Sequence, residues 1–236
     1  MGTVAIIPAA GSGKRMGLPT AKQFLPVAGE PILARTLRIF EKSPVIDEIV
    51  LVVPEAEISC VRGMVGDVGA GKVAKIVPGG LQRQDSVQRG LEAADRVHDL
   101  VVIHDAVRPF LTPGLLADVV SAGRRHGAAT LGIPAKDTVK EADREGWIVR
   151  TLDRSRLWLT QTPQVFRRDL LDRAYAAATA EGFTGTDDAV LVERIGVPVK
   201  IVPGSEDNLK ITTPEDLRSA EAAFRRRDDA KASHGR

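Results

Sequence analysis

The sequence predicts an α/β protein in which a mainly parallel, twisted sheet lies between two layers of helices. Short runs of Val, Ile, Leu and Ala alternate with amphipathic stretches along the first half of the chain. Strands that are apolar on both faces are typical of parallel sheets covered by helices on both sides. We therefore predict a Rossmann-like three-layer sandwich.

The alternation predicts the elements in order. Strands are expected at residues 4–7, 49–53, 73–77, 100–104 and 128–133, and helices at 32–42, 55–64, 85–94 and 113–126. Later, the pattern predicts helices at 169–181, 186–194 and 214–225, and short strands at 199–202 and 209–211. Thr186 is the expected N-cap of its helix, and Thr213 with Pro214 is a favourable helix start.

The alternation breaks between residues 136 and 160. Two short strands, 138–140 and 147–151, flank the polar turn at 142–146, which predicts a protruding β-hairpin arm. An exposed hairpin with an aromatic residue such as Trp147 is poorly stable alone. We expect the arm to pack on a second copy of the chain in a homodimer; the alternative is an arm folded back on its own sheet.

Length and composition indicate one globular domain. With 236 residues, of which 43% are hydrophobic and 27% charged, we expect a single domain over residues 1–226, with the arm at about 136–160. Without residues 225–236 the chain has 28 basic and 29 acidic residues. Residues 227–236 are therefore expected to be a flexible, solvated tail, and no nucleic-acid partner is expected.

Cysteine content and hydropathy indicate the cellular compartment in which the protein is expected. Cys60 is the only cysteine, which excludes an intramolecular disulfide, and its apolar neighbours favour a buried thiol. No apolar run approaches the roughly 20 residues that a bilayer requires, and no signal-peptide pattern is present. We expect a cytoplasmic protein with no membrane partner.

The loop after the first strand is rich in glycine and cations. Gly11, Ser12, Gly13, Lys14 and Arg15 offer backbone N–H groups and positive charge, which suit a phosphate chain. It is not a Walker A loop, because Pro8 replaces the first glycine and Arg15 the Ser/Thr.

A dinucleotide fingerprint also fits the loop badly, because Met16 stands where the third glycine belongs. Lys22 adds a third cation before the first helix, which favours a triphosphate; the alternative is a set of solvated surface cations.

Other polar residues follow the ends of neighbouring strands. Residues 78–80 follow the third strand, and His104 and Asp105 stand at the end of the fourth. Ligands bind beyond the carboxyl ends of parallel strands, so these groups are expected to converge on one site. Asp105 is the predicted ligand of Mg²⁺, with a turn-capping role as the alternative, and Asp207 is a second candidate ligand. His104 is expected to be a packed histidine.

A longer set of motifs carries a specific resemblance. PAAGSGKRMG, KQF, PGGLQRQDSV, HDAVRPF, KDTVK, LDRSRLWLTQTPQ, TDDA and DNLKITTPEDL occur in this order and cover the chain except its charged tail. Together they resemble the 2-C-methyl-D-erythritol 4-phosphate cytidylyltransferases. That family transfers CMP from CTP to 2-C-methyl-D-erythritol 4-phosphate, giving 4-(cytidine 5'-diphospho)-2-C-methyl-D-erythritol and pyrophosphate in non-mevalonate isoprenoid synthesis.

The resemblance implies a role for individual residues. Arg15 and Lys22 would stabilise the transition state, and Mg²⁺ would be the cofactor. The residues implied in CTP binding are Ala9, Ala10, Gly11, Ser12, Gly13, Lys14, Gly79, Gly80, Arg83, Ser86, Asp105, Ala106 and Lys210. Those implied in binding methylerythritol phosphate are Arg108, Thr138, Arg154, Thr186, Asp187 and Lys210. Thr138 and Arg154 lie on the arm, which in the family reaches into the neighbouring subunit.

Three other functions can be weighed against this one. A cytidylyltransferase for another polyol phosphate, such as ribitol 5-phosphate, shares the first loop and HDAVRPF, whereas Arg154 favours methylerythritol. An NAD(P) oxidoreductase needs the regular glycine spacing and the ribose-binding acid. A non-enzymatic homologue is expected to have lost a charge among Arg15, Lys22, Asp105 and Lys210, and all four are present.

Overall fold

A computed structural model of the chain describes residues 2–11 and 21–234 and confirms the predicted α/β class. The strands are β1 (Gly2–Pro8), β2 (Pro26–Val27), β3 (Glu30–Pro31), β4 (Glu48–Val53), β5 (Val73–Pro78), β6 (His98–Ile103), β7 (Ala128–Pro134), β8 (Lys140–Ala142), β9 (Ile148–Thr151), β10 (Trp158–Arg167) and β11 (Lys200–Pro203). The helices are α1 (Ile32–Glu41), α2 (Ile58–Val68), α3 (Arg83–Ala93), α4 (Pro113–His126), α5 (Arg168–Glu181), α6 (Asp188–Arg194) and α7 (Pro214–His234).

Seven strands form the central sheet in the order β11-β7-β10-β6-β1-β4-β5. Every pair is parallel except the two that involve β10, which runs antiparallel to both β6 and β7. The chain builds outward from β1 through β4 to β5 and then returns to β6 on the other side of β1. The carboxyl ends of β1 and β6 therefore flank a topological switch point, where open α/β sheets bind ligands.

Helices cover both faces of the sheet, as predicted. Alternate residues of β1, such as Ile7, pack with α1, α2 and α4, whereas their neighbours, such as Ile6, pack with α3, α5 and α6. A smaller cluster joins α7 to the β2–β3 hairpin through Phe224, Phe110 and Val27. The sheet is thus buried on both sides, which holds the strand ends in a rigid frame.

The sequence pattern did not predict β10. Its middle contains Gln161, Thr162 and Gln164, which are buried in the structure although they break an apolar run. The interior accommodates these side chains because they are hydrogen-bonded; the Gln164 amide, for example, donates to Asp187 and accepts from the backbone N–H groups of Asp188 and Ala189.

Several other predictions were wrong in detail. Residues 55–57 form a separate 3₁₀ turn before α2, residues 209–211 form no strand, and α7 continues to His234. The N-cap of α6 is Asp187 rather than Thr186, because the Asp187 carboxylate accepts from the Val190 N–H at 3.1 Å. Cys60 is exposed, since the buried face of α2 passes through the adjacent Val61.

A hairpin is present in the predicted segment, but its strands are β8 and β9 rather than residues 138–140 and 147–151, and they form a separate two-stranded sheet. Trp147, directly before β9, is 75% exposed, and Ile148 and Val149 follow it at 63% and 60%. Three consecutive large apolar side chains on one exposed element are unusual for an isolated surface.

Within the described part of the chain, no helix combines the length and apolar character needed to cross a membrane.

Candidate active site

A cleft of about 480 Å³ opens at the switch point, beyond the carboxyl ends of β1, β5 and β6. Its lining includes Ala9, Ala10, Gly11, Lys22, Gly80, Arg83, Ser86, Asp105, Ala106 and Lys210, all predicted site residues. A second depression, lined by Arg124, Arg167 and Arg168, lies at the opposite ends of the strands, near the start of β6. There, Arg168 already donates to three backbone carbonyls, and Arg167 is paired with Asp169.

Asp105 follows β6 and is the central charge of the cleft. Its Oδ1 accepts from Arg83 Nε at 3.0 Å, and its Oδ2 lies 2.6 Å from the Lys210 ammonium. Burial alone would raise the pKa of Asp105, but the charges of Arg83 and Lys210 outweigh it and hold the pKa well below its usual range. Asp105 is therefore an ionised oxygen donor at physiological pH.

Arg83, the first residue of α3, joins Asp105 to a second carboxylate. Its Nη1 donates to Asp188 Oδ2 at 2.8 Å. Burial opposes the charge of Arg83, but Asp188 and Asp105 more than compensate, so its pKa lies well above the usual range. Asp188 was not among the predicted site residues, although it is part of the TDDA motif directly after Asp187.

The loop after β5 approaches the loop after β1 closely. A Cβ added to Gly79 would lie 2.2 Å from Ala10 Cβ, and one added to Gly80 would lie 2.2 Å from Asp85 Cβ. Ser86 lies behind these glycines on α3, where its hydroxyl donates to the Gln82 carbonyl and accepts from the Gly80 N–H. Glycine at 79 therefore allows the two loops to pack directly against each other, and the next residue, Gly80, lines the cleft.

The side chain of Gln23 anchors the loop that follows β1. Its amide donates to the carbonyl oxygens of Ala9 at 2.5 Å and Gly11 at 3.3 Å. Lys22 precedes it and lines the cleft. Ser12, Gly13, Lys14 and Arg15 lie outside the described residues, so their predicted contacts stay predictions.

The neutral histidine behind Asp105 fixes the turn after β6. His104 Nε2 lies 3.1 Å from the Arg108 carbonyl oxygen, and Nδ1 lies 3.2 Å from Thr162 Oγ1. A carbonyl can only accept, so Nε2 carries the proton. Complete burial lowers the pKa of His104 to about 4. The prediction of a packed histidine is confirmed.

The residues implied in acceptor binding are only partly brought together. Arg108 is buried, its Nη1 donates to the Asn208 carbonyl, and its Nε has no hydrogen-bond partner among the described residues. Asp187 is held by Gln164, and the adjacent Thr186 is exposed. Thr138 and Arg154 are exposed on the arm, where Arg154 donates to the Lys136 carbonyl.

The structure does not bring Asp207 to Asp105. Asp207 is exposed and lines a different depression, beside Phe110 and Leu209. Lys210, three residues later, reaches Asp105 in the cleft. In the described ranges, no cluster of three or more His, Cys, Asp or Glu side chains could hold a metal ion by itself. A metal at Asp105 would need oxygen ligands from a bound molecule.

Comparison with known proteins gives one consistent family. The profile of the 2-C-methyl-D-erythritol 4-phosphate cytidylyltransferase family matches residues 3–226. The enzyme of that name from Symbiobacterium thermophilum is 52% identical over 92% of this chain and 90% of its own length. The one from Pelotomaculum thermopropionicum is 49% identical over 98% of both chains.

Comparison with solved structures gives the same family. The 4-diphosphocytidyl-2C-methyl-D-erythritol synthase of Anaerococcus prevotii is similar with a TM-score of 0.85 and 34% identity, covering 95% of this chain and 96% of that one. The 2-C-methyl-D-erythritol 4-phosphate cytidylyltransferase of Thermus thermophilus gives 0.76 and 37%, covering 94% and 98%.

Proposed function

This chain belongs to the 2-C-methyl-D-erythritol 4-phosphate cytidylyltransferase family, and we propose that it transfers the cytidylyl group of CTP to 2-C-methyl-D-erythritol 4-phosphate at the cleft around Asp105. The products are 4-(cytidine 5'-diphospho)-2-C-methyl-D-erythritol and pyrophosphate, in non-mevalonate isoprenoid synthesis. The ionised Asp105, which lies between Arg83 and Lys210 at the switch point of the sheet, is the observation that supports placing the reaction in this cleft.

The nucleotide half of the cleft is formed by two loops. Gly80 and Ser86 line the cleft, and the loop at Gly80, packed at Gly79 against Ala10, is proposed to contact the cytosine ring. The first loop, from Ala9 through Lys14, would hold the triphosphate with its backbone N–H groups. The backbone of Ala106 would contact the nucleotide from the β6 side.

The reaction needs positioning and charge stabilisation rather than a covalent nucleophile. An oxygen of the acceptor's phosphate forms a bond to the α-phosphorus of CTP, while the bond to the β-phosphate oxygen breaks and pyrophosphate leaves. Negative charge accumulates on the phosphoryl oxygens in the transition state. Arg15 and Lys22, both in the excursion between β1 and α1, are proposed to stabilise that charge.

Asp105 is the proposed protein ligand of Mg²⁺. A single carboxylate together with substrate phosphates is a usual environment for this ion, and the absence of a larger ligand cluster among the described residues fits it. When bound, the ion neutralises charge on the triphosphate. Lys210 is placed to move its ammonium from Asp105 to a phosphate oxygen, because a lysine side chain is flexible and only half-buried here.

The acceptor is proposed to bind beside the nucleotide with help from a second subunit. Arg108 suits its phosphate, because the buried Nε lacks a partner among described residues, and Asp187 and Thr186 suit its hydroxyls. Thr138 and Arg154 would reach the site of the partner copy, with the exposed Trp147 and Ile148 packing on that copy. The active form would then be a homodimer.

Substrate specificity tests the function. Pyrophosphate release is measured for CTP, UTP and ATP, each with methylerythritol phosphate or ribitol 5-phosphate as acceptor. We expect rapid release only with CTP and methylerythritol phosphate. Rapid release only with ribitol 5-phosphate would overturn the acceptor assignment, and no release with any pair would overturn the enzymatic function.

A further inference from the structure

We infer that Asp188 is a positioning residue, which acts on the reaction through Arg83 and Asp105. This inference rests on the proposed function of the cleft. Asp188 is only 1% exposed and is not part of the cleft lining, so it does not contact a bound substrate directly. Its effect must be transmitted by the side chains that it contacts.

Both carboxylate oxygens of Asp188 accept a strong hydrogen bond. Oδ2 accepts from Arg83 Nη1 at 2.8 Å, and Oδ1 accepts from the Tyr175 hydroxyl at 2.6 Å. The carboxylate is therefore held between Tyr175 of α5 and Arg83 of α3. Removing one partner of a buried ion pair leaves the other charge uncompensated, so the Arg83 contact stabilises the Asp188 carboxylate in its buried position.

Arg83 transmits the position of Asp188 to the cleft. Its Nε donates to Asp105 Oδ1 at 3.0 Å while Nη1 holds Asp188. The guanidinium is planar and rigid, so fixing one edge on a buried carboxylate fixes the direction of the other N–H group. Lys210 on the opposite oxygen is a point charge and cannot impose the same direction. The charges alternate along the row Asp188, Arg83, Asp105 and Lys210.

The backbone at Asp188 is itself anchored to the sheet. Gln164 of β10 accepts from the Asp188 and Ala189 N–H groups at 3.1 Å each and donates to Asp187. Adjacent acids thus have different orientations: Asp187 caps α6 and is partly exposed, whereas Asp188 is directed into the protein toward Arg83. The start of α6 therefore links Asp187, which is proposed to bind the acceptor, to Asp105, which is proposed to bind the metal. The link runs through Asp188 and Arg83.

Asp188→Asn tests the inference, because it removes the charge and keeps the shape. We expect kcat to fall roughly 10- to 100-fold, the loss typical of a displaced supporting group. Tyr175→Phe is the matched control, since it removes the other hydrogen bond to the same carboxylate and leaves the Arg83 contact. Its kcat should stay within about 3-fold of the wild type, because it loses one neutral donor only.

A double-mutant cycle separates positioning from simple structural damage. If Asp188 acts through Arg83, then Asp188→Asn in the Arg83→Met background should change kcat by less than about 2-fold. The same cycle is measured for the Kd of CTP by calorimetry, so it can be evaluated without turnover. Additive losses in both quantities would overturn the inference. Absent wild-type turnover would instead overturn the proposed function.

Arg83→Lys covers the case in which Asp188→Asn does not fold. This change keeps the positive charge and replaces the planar fork by a point charge, which cannot hold both carboxylates in one geometry. We expect a loss of kcat similar to that of Asp188→Asn. Wild-type kcat in a folded Arg83→Lys protein would show that the fork geometry is not needed, and the inference would be wrong.

Discussion

Gly79→Ala should destabilise the protein and weaken CTP binding together. The new Cβ would lie 2.2 Å from Ala10 Cβ and 3.0 Å from Ser86 Oγ. Carbon atoms pack at about 3.5–4.0 Å, so the two loops must separate by more than about 1 Å. Forcing a methyl group into such a packed contact costs about 1–3 kcal/mol, which lowers Tm by about 2–4 °C per kcal/mol in a chain of this length. The separation would also move the loop at Gly80 that is proposed to contact the cytosine ring, so the KM for CTP should rise.

Thermal unfolding and initial rates at varied CTP check this prediction, with Gly63→Ala as the control. Gly63 lies within α2, and an added Cβ there meets nothing within 4 Å. Alanine at that position should leave Tm unchanged or raise it slightly, because the unfolded chain loses freedom. If Gly79→Ala matches Gly63→Ala in both Tm and KM, the close approach of the two loops does not shape the nucleotide site.

Three further predictions concern the core, the first loop and the arm. His104 stays neutral in the folded protein down to about pH 4 but takes up a proton near pH 6.5 when unfolded, so the free energy of unfolding should fall by about 3 kcal/mol as the pH drops through this window. Urea denaturation at several pH values should show a flatter profile for His104→Gln, and parallel profiles would contradict the assignment. Arg15→Ala should lower kcat far more than it raises the Kd for CTP, because charge on the α-phosphate grows mainly in the transition state; a loss confined to affinity, measured by calorimetry and saturating rates, would argue against that role. Trp147→Ser should shift the protein toward monomer in sedimentation and lower activity at low protein concentration, since it removes a large exposed apolar side chain from the arm; an unchanged sedimentation profile would count against an arm-mediated dimer.

The sheet was predictable because its parallel strands are buried on both faces. Runs such as Ile49 to Val53 have no polar residue, and no other environment suits them as well. The antiparallel β10 was missed for the opposite reason. Gln164 is buried and polar, and only the three-dimensional arrangement supplies the hydrogen bonds that make its burial possible.

The location of the cleft could also be predicted, because the carboxyl ends of parallel strands meet at one edge. Asp105 and Gly80 line the same cleft for that reason. Asp188 could not be identified in this way, because it lies behind the cleft and acts through a contact with a residue 105 positions earlier. Thr138 and Arg154 are not brought to the cleft within one chain, and their proposed role depends on a second copy.

The turnover of Asp105→Asn tests the central claim most directly. Asparagine has nearly the same shape but carries no charge, so it can neither pair with Arg83 and Lys210 as an ion nor serve as an anionic metal ligand. With CTP, methylerythritol phosphate and Mg²⁺ at saturation, we predict that kcat for pyrophosphate release falls at least about 100-fold while circular dichroism shows a folded protein. Turnover equal to that of the wild type would show that the reaction does not depend on the charge at the centre of this cleft.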